Sequence, residues 1–170
     1  MGIDIIKTQI RNKIENVLLF LYEYDSYLIE NNLHERAITH RIGSYLIKEF
    51  PQWDVDVEYN RVGNDPKKIH EIESLIYEEI YKKGLQDHFN NNMNVLPDII
   101  VHKRGTKHNL IALELKKWYS SVEEDEIDRI KLKCYLKEKS LEYNYAVFIK
   151  LLKDRKHILE VYSIEELNFG

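Results

Sequence analysis

Two apolar runs separated by a short polar loop decide the fold: Leu96-Pro97-Asp98-Ile99-Ile100-Val101 and Leu110-Ile111-Ala112-Leu113-Glu114-Leu115-Lys116. The loop between them, Arg104-Gly105-Thr106-Lys107-His108, contains a glycine and is otherwise polar. Apolar runs of this length on either side of such a loop predict a β-hairpin. Both faces of the hairpin are apolar except near Asp98, so we expect it at the centre of a sheet that helices cover on both sides.

The charged residues of this hairpin are predicted to lie together at its open end. If the hairpin is symmetric about Thr106, Asp98 lies directly opposite Glu114, and the Cβ atoms of such a pair are about 5 Å apart. Glu114 and Lys116 are two residues apart on one strand, so they share a face. Two carboxylates in an apolar sheet repel each other and stay ionised only beside a positive charge. The sequence therefore predicts a charged site at this end.

A divalent cation would supply that positive charge. Mg²⁺ is usually held by one or two carboxylates together with phosphate and water. Lys116 would then lie beside the attacking water, where it can orient the nucleophile or stabilise charge on phosphorus. The structural alternative is a buried ion pair of Lys116 with Asp98 or with Glu114. The presence of two carboxylates favours a metal site over an ion pair, because a buried net negative charge is costly without a cation.

The patterns on either side of the hairpin predict a single mixed α/β domain. Apolar residues that recur every three or four positions indicate helices, and alternating or continuous apolar runs indicate strands. Ser121 and Glu124 form a capping-box pattern, which marks the start of a helix. The predicted elements, in chain order, are helices 4–30 and 33–49, strand 53–59, helix 66–83, strands 95–103 and 109–116, helix 122–139, and strands 143–152 and 157–162.

The motif residues resemble a known nuclease family. Pro97-Asp98, then fifteen residues, then Glu114-Leu115-Lys116 resembles the PD-(D/E)xK signature of the restriction-endonuclease-like superfamily. The resemblance implies a mixed β-sheet with an antiparallel meander flanked by helices, in the core order αβββαβ. It divides the single domain, residues 1–170, into an N-terminal helical extension (1–31), a nuclease-like core (33–152) with a helical insertion at about 62–94, and a C-terminal strand and tail (153–170).

The resemblance also implies an activity. The family hydrolyses phosphodiester bonds with Mg²⁺ or Mn²⁺, so we expect an endonuclease that acts on DNA. Asp98 and Glu114 would hold the metal, the backbone carbonyl of Leu115 would be a further ligand, and Lys116 would serve the attacking water. The alternative function is a non-catalytic nucleic-acid-binding or assembly subunit that retains the nuclease fold.

The family often supplies one more acid from its first core helix, and Glu35 matches that place. Glu35 also lies on the inward stripe of the predicted helix 33–49. Asn32-Leu33-His34-Glu35 is a capping-box pattern as well, so Glu35 has two interpretations, as a site acid and as a cap. The two interpretations are compatible with each other.

Positive side chains close to these acids are the expected contacts to backbone phosphates. The chain as a whole carries a net charge of −4, which argues against a protein that coats nucleic acid through bulk charge. The predicted phosphate contacts are therefore local: Arg36, His40, Arg41, Arg61 and Lys117.

The remaining composition predicts a cytoplasmic protein with no membrane partner. A single cysteine allows no disulfide within the chain, which favours a reducing compartment. The sequence contains neither an apolar run long enough to span a membrane nor a secretory signal pattern. The apolar stripe of helix 4–30 must be covered by its own domain or by a second copy, and we expect a homodimer.

Overall fold

A five-stranded mixed sheet forms the centre of the protein. The computed structural model describes residues 2–58, 66–89 and 95–168. The strands are β1 (Asp54–Val57), β2 (Ile99–His102), β3 (Asn109–Lys117), β4 (Tyr143–Leu151) and β5 (His157–Ser163). They lie in the order β1-β2-β3-β4-β5, in which β3 and β4 are parallel and every other neighbouring pair is antiparallel.

Helices cover both faces of this sheet. They are α1 (Gly2–Tyr24), α2 (Ser26–Glu30), α3 (Glu35–Glu49), α4 (Pro66–Lys82), α5 (Val122–Lys137) and α6 (Ile164–Asn168), with a short 3₁₀ turn at Gln86–His88. One core packs α1 and α3 against side chains such as Val101 and Leu113. The other packs α4 and α5 against the opposite face, at Ile100 and Ala112. The predicted mixed α/β class is therefore confirmed, whereas α6 replaces the predicted tail.

The hairpin of β2 and β3 has the predicted register. Ile99 pairs with Leu113 and Ile100 with Ala112, which is the symmetry about Thr106 that the sequence predicts. The pairing shifts by one residue at His102, next to the loop, and β2 is shorter than the predicted strand 95–103. The symmetric part of the register continues toward the open end, and it places Asp98 opposite Glu114.

Several chain segments meet at one end of the sheet. Because β3 and β4 are parallel, they end at the same edge, where β2 and β5 begin and β1 ends. We call this edge the β3 end. From Ile111 to Lys117, even-numbered residues of β3 face α5 and odd-numbered residues face α1 and α3, since successive side chains in a strand point to opposite faces.

The N-terminal helix belongs to the same core as the sheet. Ile14, Val17, Leu18 and Leu21 of α1 are fully buried against α3 and the sheet. The chain itself thus covers the apolar stripe, which removes the reason for expecting a homodimer. No helix among the described residues is long and apolar enough to cross a membrane.

Several helix boundaries follow from local chemistry. Ser121 caps α5 in a complete capping box with Glu124, as predicted. The helix α4 is followed by Gly84, whose φ of +67° is the left-handed conformation that favours glycine after a helix. Of the predicted insertion at about 62–94, residues 62–65 and 90–94 lie outside the described residues.

The packing of α3 on β1 predicts an unusual effect of one substitution. A Cβ atom added at Gly43 would lie 2.6 Å from Val57 Cγ2, and a valine side chain is stiff. Gly43→Ala should therefore lower the free energy of unfolding by about 1 kcal/mol or more, although alanine favours helix formation. Urea unfolding should show no such loss for Ser44→Ala, the exposed neighbour, which should change stability by less than about 0.5 kcal/mol. A Gly43→Ala variant more stable than the parent would contradict this packing.

Candidate active site

Six charged side chains from four parts of the chain converge at the β3 end. We call them the charged cluster. Four are predicted site residues and two are contributed by α5. The members are Glu35 at the start of α3, Asp98 just before β2, Glu114 and Lys116 on β3, and Asp128 and Lys131 on α5.

Asp98 and Glu114 are in contact, as the register predicts. Asp98 Oδ2 accepts a hydrogen bond of 2.8 Å from the backbone amide of Leu115, and the Asp98 carboxyl group lies within reach of that of Glu114. Burial raises the pKa of Asp98, and it raises the pKa of Glu114, which is 2% exposed.

Lys131 lies against this pair from the α5 side. Its Nζ is 2.7 Å from Glu114 Oε1 and 3.6 Å from Asp128 Oδ1, and the side chain is buried. Burial alone would lower the pKa of Lys131, but the charges of Glu114 and Asp128 outweigh it and raise the pKa. The ammonium group therefore stays charged inside the protein, where it partly neutralises Glu114.

Lys116 has a different partner from the one that the structural alternative predicts. Its Nζ lies 3.1 Å from Asp128 Oδ2, so its ion pair is with α5. Burial opposes the charge of Lys116, but Asp128, Glu35 and Glu114 together raise its pKa. Because the side chain remains 20% exposed, a charged group of the cluster reaches the solvent at the β3 end.

The charged cluster contains more carboxyl groups than ammonium groups. Four carboxyl groups face two ammonium groups, a formal excess of two negative charges when all six are ionised. Within the part of the chain that the structure describes, Glu114 Oε1 and both carboxylate oxygens of Asp128 are buried and accept no hydrogen bond. Each of these oxygens instead faces an ammonium group, with distances of 2.7 Å from Glu114 Oε1 to Lys131 Nζ and 3.1 Å from Asp128 Oδ2 to Lys116 Nζ. The formal excess of negative charge that remains would be offset by a further cation.

Glu35 takes part in this electrostatic network. Burial, together with the charges of Asp98 and Asp128, raises its pKa to about 7, and the positive charge of Lys116 opposes this rise. The capping interpretation of this residue is wrong. The helix begins at Glu35 itself, its N-cap is His34, and no side chain caps it. A capping box with Glu35 would require Asn32 at the N-cap. Asn32 instead lies two residues before the observed N-cap and has a left-handed backbone, with a φ of +52°.

Lys117 holds the segment that precedes Glu35. The side chain is only 1% exposed, and Nζ donates hydrogen bonds to Asn32 Oδ1 (2.8 Å) and to the carbonyl of Leu33 (2.6 Å). The predicted contact of Lys117 with phosphate is therefore not available in this structure, because its ammonium group faces the protein interior. The contacts favour a structural role, in which Lys117 positions the first turn of α3 beside the cluster.

The other predicted phosphate contacts lie along the outer side of α3. Arg36 is exposed and pairs with Glu58, with an Nη2–Oε2 distance of 2.9 Å. Arg41 donates from Nε to Asp25 Oδ2 at 2.8 Å, and His40 is exposed. Of these, Arg36 is next to Glu35 in the chain, whereas Arg41 is anchored to the junction of α1 and α2. Arg61 lies outside the described residues.

Sequence reasoning missed both contributions of α5. Asp128 and Lys131 are three residues apart, which is the spacing of an ordinary surface ion pair. A signal was nevertheless present, since both residues lie at helical spacing from Tyr135, which is fully buried. Charged residues in a buried stripe indicate a partner of opposite charge on the element that the helix covers.

The oxygen donors of the cluster are the type that a hard divalent cation prefers. The three buried carboxylate oxygens that accept no hydrogen bond fit such a cation in charge and chemistry. Among the described residues, however, no three acidic, histidine or cysteine side chains form a ready-made metal site. The Lys131 ammonium lies against Glu114, so a metal there requires this side chain to move. The carbonyl of Leu115 stays a predicted ligand.

Comparisons with family models, with curated proteins and with solved structures found no match to this chain.

The pKa of Glu35 predicts how stability depends on pH. In the folded protein this pKa is about 7, against an ordinary value of 4.5, so the folded state binds more protons than the unfolded state between these pH values. The contribution of Glu35 to stability is therefore present at low pH and is lost as pH rises toward 7. Glu35→Gln should flatten the fall in urea midpoint between about pH 5 and pH 8 in chelator, with the variant more stable than the parent at the higher pH. Glu71→Gln, an exposed change on α4, should follow the parent, and a Glu35→Gln profile parallel to the parent would refute the assignment.

The buried contacts of Lys117 predict a loss of stability when its charge is removed. Lys117→Met keeps the aliphatic stem but removes both hydrogen bonds, and bonds to charged groups contribute about 1.5–3 kcal/mol. We expect the free energy of unfolding to fall by about that amount, as measured by urea denaturation. Lys153→Met, at an exposed position, serves as the control and should be close to neutral. A fully stable Lys117→Met variant would show that the ammonium group is not anchored in this way.

Proposed function

We propose that this protein is a metal-dependent nuclease that hydrolyses phosphodiester bonds in DNA, and that the charged cluster is its active site. The observation that carries the proposal is the contact between the carboxyl groups of Asp98 and Glu114 at the end of β3, with the charged Lys116 two residues further along the same strand. This combination provides acidic ligands for a metal beside a cation for the phosphate and the attacking water.

The order of the elements supports the same proposal. The helix α3 is followed by the antiparallel strands β1, β2 and β3, then by α5, and then by β4 parallel to β3. This is the order αβββαβ that the PD-(D/E)xK resemblance implies, with α1 added before it and α4 inserted between β1 and β2. We therefore propose a restriction-endonuclease-like core over about residues 33–152.

In this proposal the acidic residues hold the metal. Asp98, Glu114 and Glu35 offer carboxylate oxygens, with the Leu115 carbonyl as a further ligand. A bound Mg²⁺ or Mn²⁺ would supply Lewis-acid chemistry to the phosphodiester. The raised pKa values of the three acids follow from burial and mutual repulsion, and a divalent cation would relieve both.

The lysines have separate tasks. Lys116 reaches the solvent in its charged form, where it can orient the attacking water and stabilise negative charge on the phosphate. Lys131 neutralises Glu114 in the metal-free protein and has Asp128 as a second partner when it moves away. Asp128 thus keeps both lysines in place.

One observation favours a second candidate function. The ion pair between Lys131 and Glu114 at 2.7 Å compensates a buried carboxylate without a metal. A protein that retains this pair permanently would keep the fold and lack turnover, as a non-catalytic nucleic-acid-binding subunit. The exposed Arg36, next to Glu35 in the chain, and His40, further along the outer side of α3, would serve binding in either case.

A cleavage assay tests the proposal and separates the two candidates. The parent protein should cut labelled DNA with Mg²⁺ or Mn²⁺ and be inactive in chelator. Lys116→Ala should lower the cleavage rate by about 100-fold or more, because it removes a positioned charge from the transition state. Lys133→Ala, a lysine of α5 that faces away toward Tyr162, should retain the parent rate.

The possible results are distinct. Cleavage that survives chelation contradicts a metal mechanism, and a Lys116→Ala variant with the parent rate contradicts the role of this lysine. Binding of DNA without cleavage under any metal condition selects the non-catalytic candidate. Thermal melting of each variant shows whether a lost rate reflects a lost fold.

A further inference from the structure

A cavity of about 600 Å³ opens at the β3 end, on the face of the sheet that α1 and α2 cover. It lies between the junction of α1 and α2, the residue that follows β3, and the turn between β4 and β5. Its size is within the range of about 300–1,000 Å³ typical of small-molecule sites. The lining includes Tyr22, Ser26, Glu30, Trp118, Lys153 and Arg155.

Trp118 provides an aromatic wall for this cavity. It follows directly on β3, two residues after Lys116, and its side chain is half-buried against the first core. The ammonium group of Lys153 lies 5.9 Å from the centre of the indole ring. Lys153 is exposed and its long side chain can move aside, so a flat ligand can replace it against the ring.

The cations at the cavity mouth are held by a tight turn. Asp154 and Arg155 both have φ near +60°, as in the mirror-image turns of β-hairpins, and neither is a glycine. The turn is closed by a 2.8 Å hydrogen bond from Leu152 N to the carbonyl of Lys156, which also accepts one from Tyr22 Oη. This backbone therefore presents Lys153 and Arg155 at a fixed place beside Trp118.

The charge of the cavity selects the kind of ligand. Two cations and two carboxylates line the cavity, and Arg155 Nη2 lies 3.8 Å from Glu30 Oε1, so the lining is neutral overall and its aromatic wall suits a flat, neutral group. Ser26 and Glu30 offer a hydroxyl and a carboxylate for the polar edge of such a group. An unpaired nucleobase has these properties, because it presents a π-face for stacking and N–H groups at its edge.

We propose that this cavity binds one unpaired nucleobase of the strand that the charged cluster cleaves, stacked on Trp118, while Lys153 and Arg155 contact the adjoining phosphates. This inference rests on the proposed function, and it specifies the substrate as single-stranded or locally unpaired nucleic acid. A base inside a duplex is stacked and paired with its neighbours and must be extruded before it can enter a cavity.

Trp118 itself can report the binding. The chain has two tryptophans, and Trp53 lies just before β1 at the opposite end of the sheet. In a Trp53→Phe variant the fluorescence therefore comes from Trp118. The titration is made in chelator, so that no strand is cut, with a single-stranded oligonucleotide, an abasic strand of equal length, a blunt duplex and a nucleoside monophosphate.

The expected result is quenching by the base-containing single strand, with an affinity about tenfold or more above that of the abasic strand. The blunt duplex should leave the fluorescence unchanged. With a labelled strand, Trp118→Leu should weaken binding about tenfold, and Trp118→Phe should weaken it less because a stacking ring remains. Tyr81→Ala, at an exposed aromatic residue of α4 on the other face of the sheet, is the matched control and should bind as the parent does.

Other results would overturn the inference. Equal affinity for base-containing and abasic strands would mean that charge alone binds the strand, and a nucleoside monophosphate that binds as tightly as the strand would assign the cavity to a free nucleotide. Absence of quenching would exclude stacking on Trp118. Cleavage is scored separately. Quenching without cleavage keeps the cavity and refutes the proposed activity, whereas cleavage with base-independent binding keeps the activity and refutes the cavity.

Discussion

The burial of more carboxyl groups than ammonium groups at the end of β3 is the constraint on which the rest of the structure depends. Buried charges are costly, and a pair of them seldom stabilises a fold more than apolar residues of the same size would. The protein nevertheless packs α5 over Glu114 with Asp128 and Lys131 on its inner face. Such an arrangement is expected where an excess of negative charge has a use, and the proposed divalent cation would give it one.

The two faces of β3 contribute residues to different parts of the structure at this end. Glu114 and Lys116 face α5 and belong to the charged cluster, whereas Leu115 and Lys117 face the helices on the other side. Lys117 anchors the residues before α3 and so brings Glu35 to the same end of the sheet. Trp118 follows directly and forms a wall of the neighbouring cavity. The five consecutive residues from Glu114 to Trp118 therefore include a carboxylate and a cation of the cluster, the lysine that anchors the segment before α3, and the aromatic wall of the cavity.

In the structure, Lys131 has the position that a cation would take beside Glu114. This explains how the metal-free chain can fold around its acids, because an internal ammonium group offsets part of their repulsion. It also means that the arrangement of the cluster would change if the proposed external cation competed for Glu114. The second contact of Lys131, with Asp128, lies on the same helix and gives the displaced ammonium a partner.

The hairpin, its register and the contact between Asp98 and Glu114 follow from the sequence alone, because strand periodicity and a symmetric loop are local properties. The capping box of Ser121 and Glu124 is local in the same sense. The tertiary structure decided which charged side chains are buried and which partner each of them has. In the sequence Lys117 is indistinguishable from a surface lysine, and only the structure shows its contact with Asn32. The spacing of Asp128 and Lys131 is likewise the same in a solvated helix and in a buried one. The energies of such charges depend on partners many residues away and on the exclusion of water, neither of which a local pattern contains.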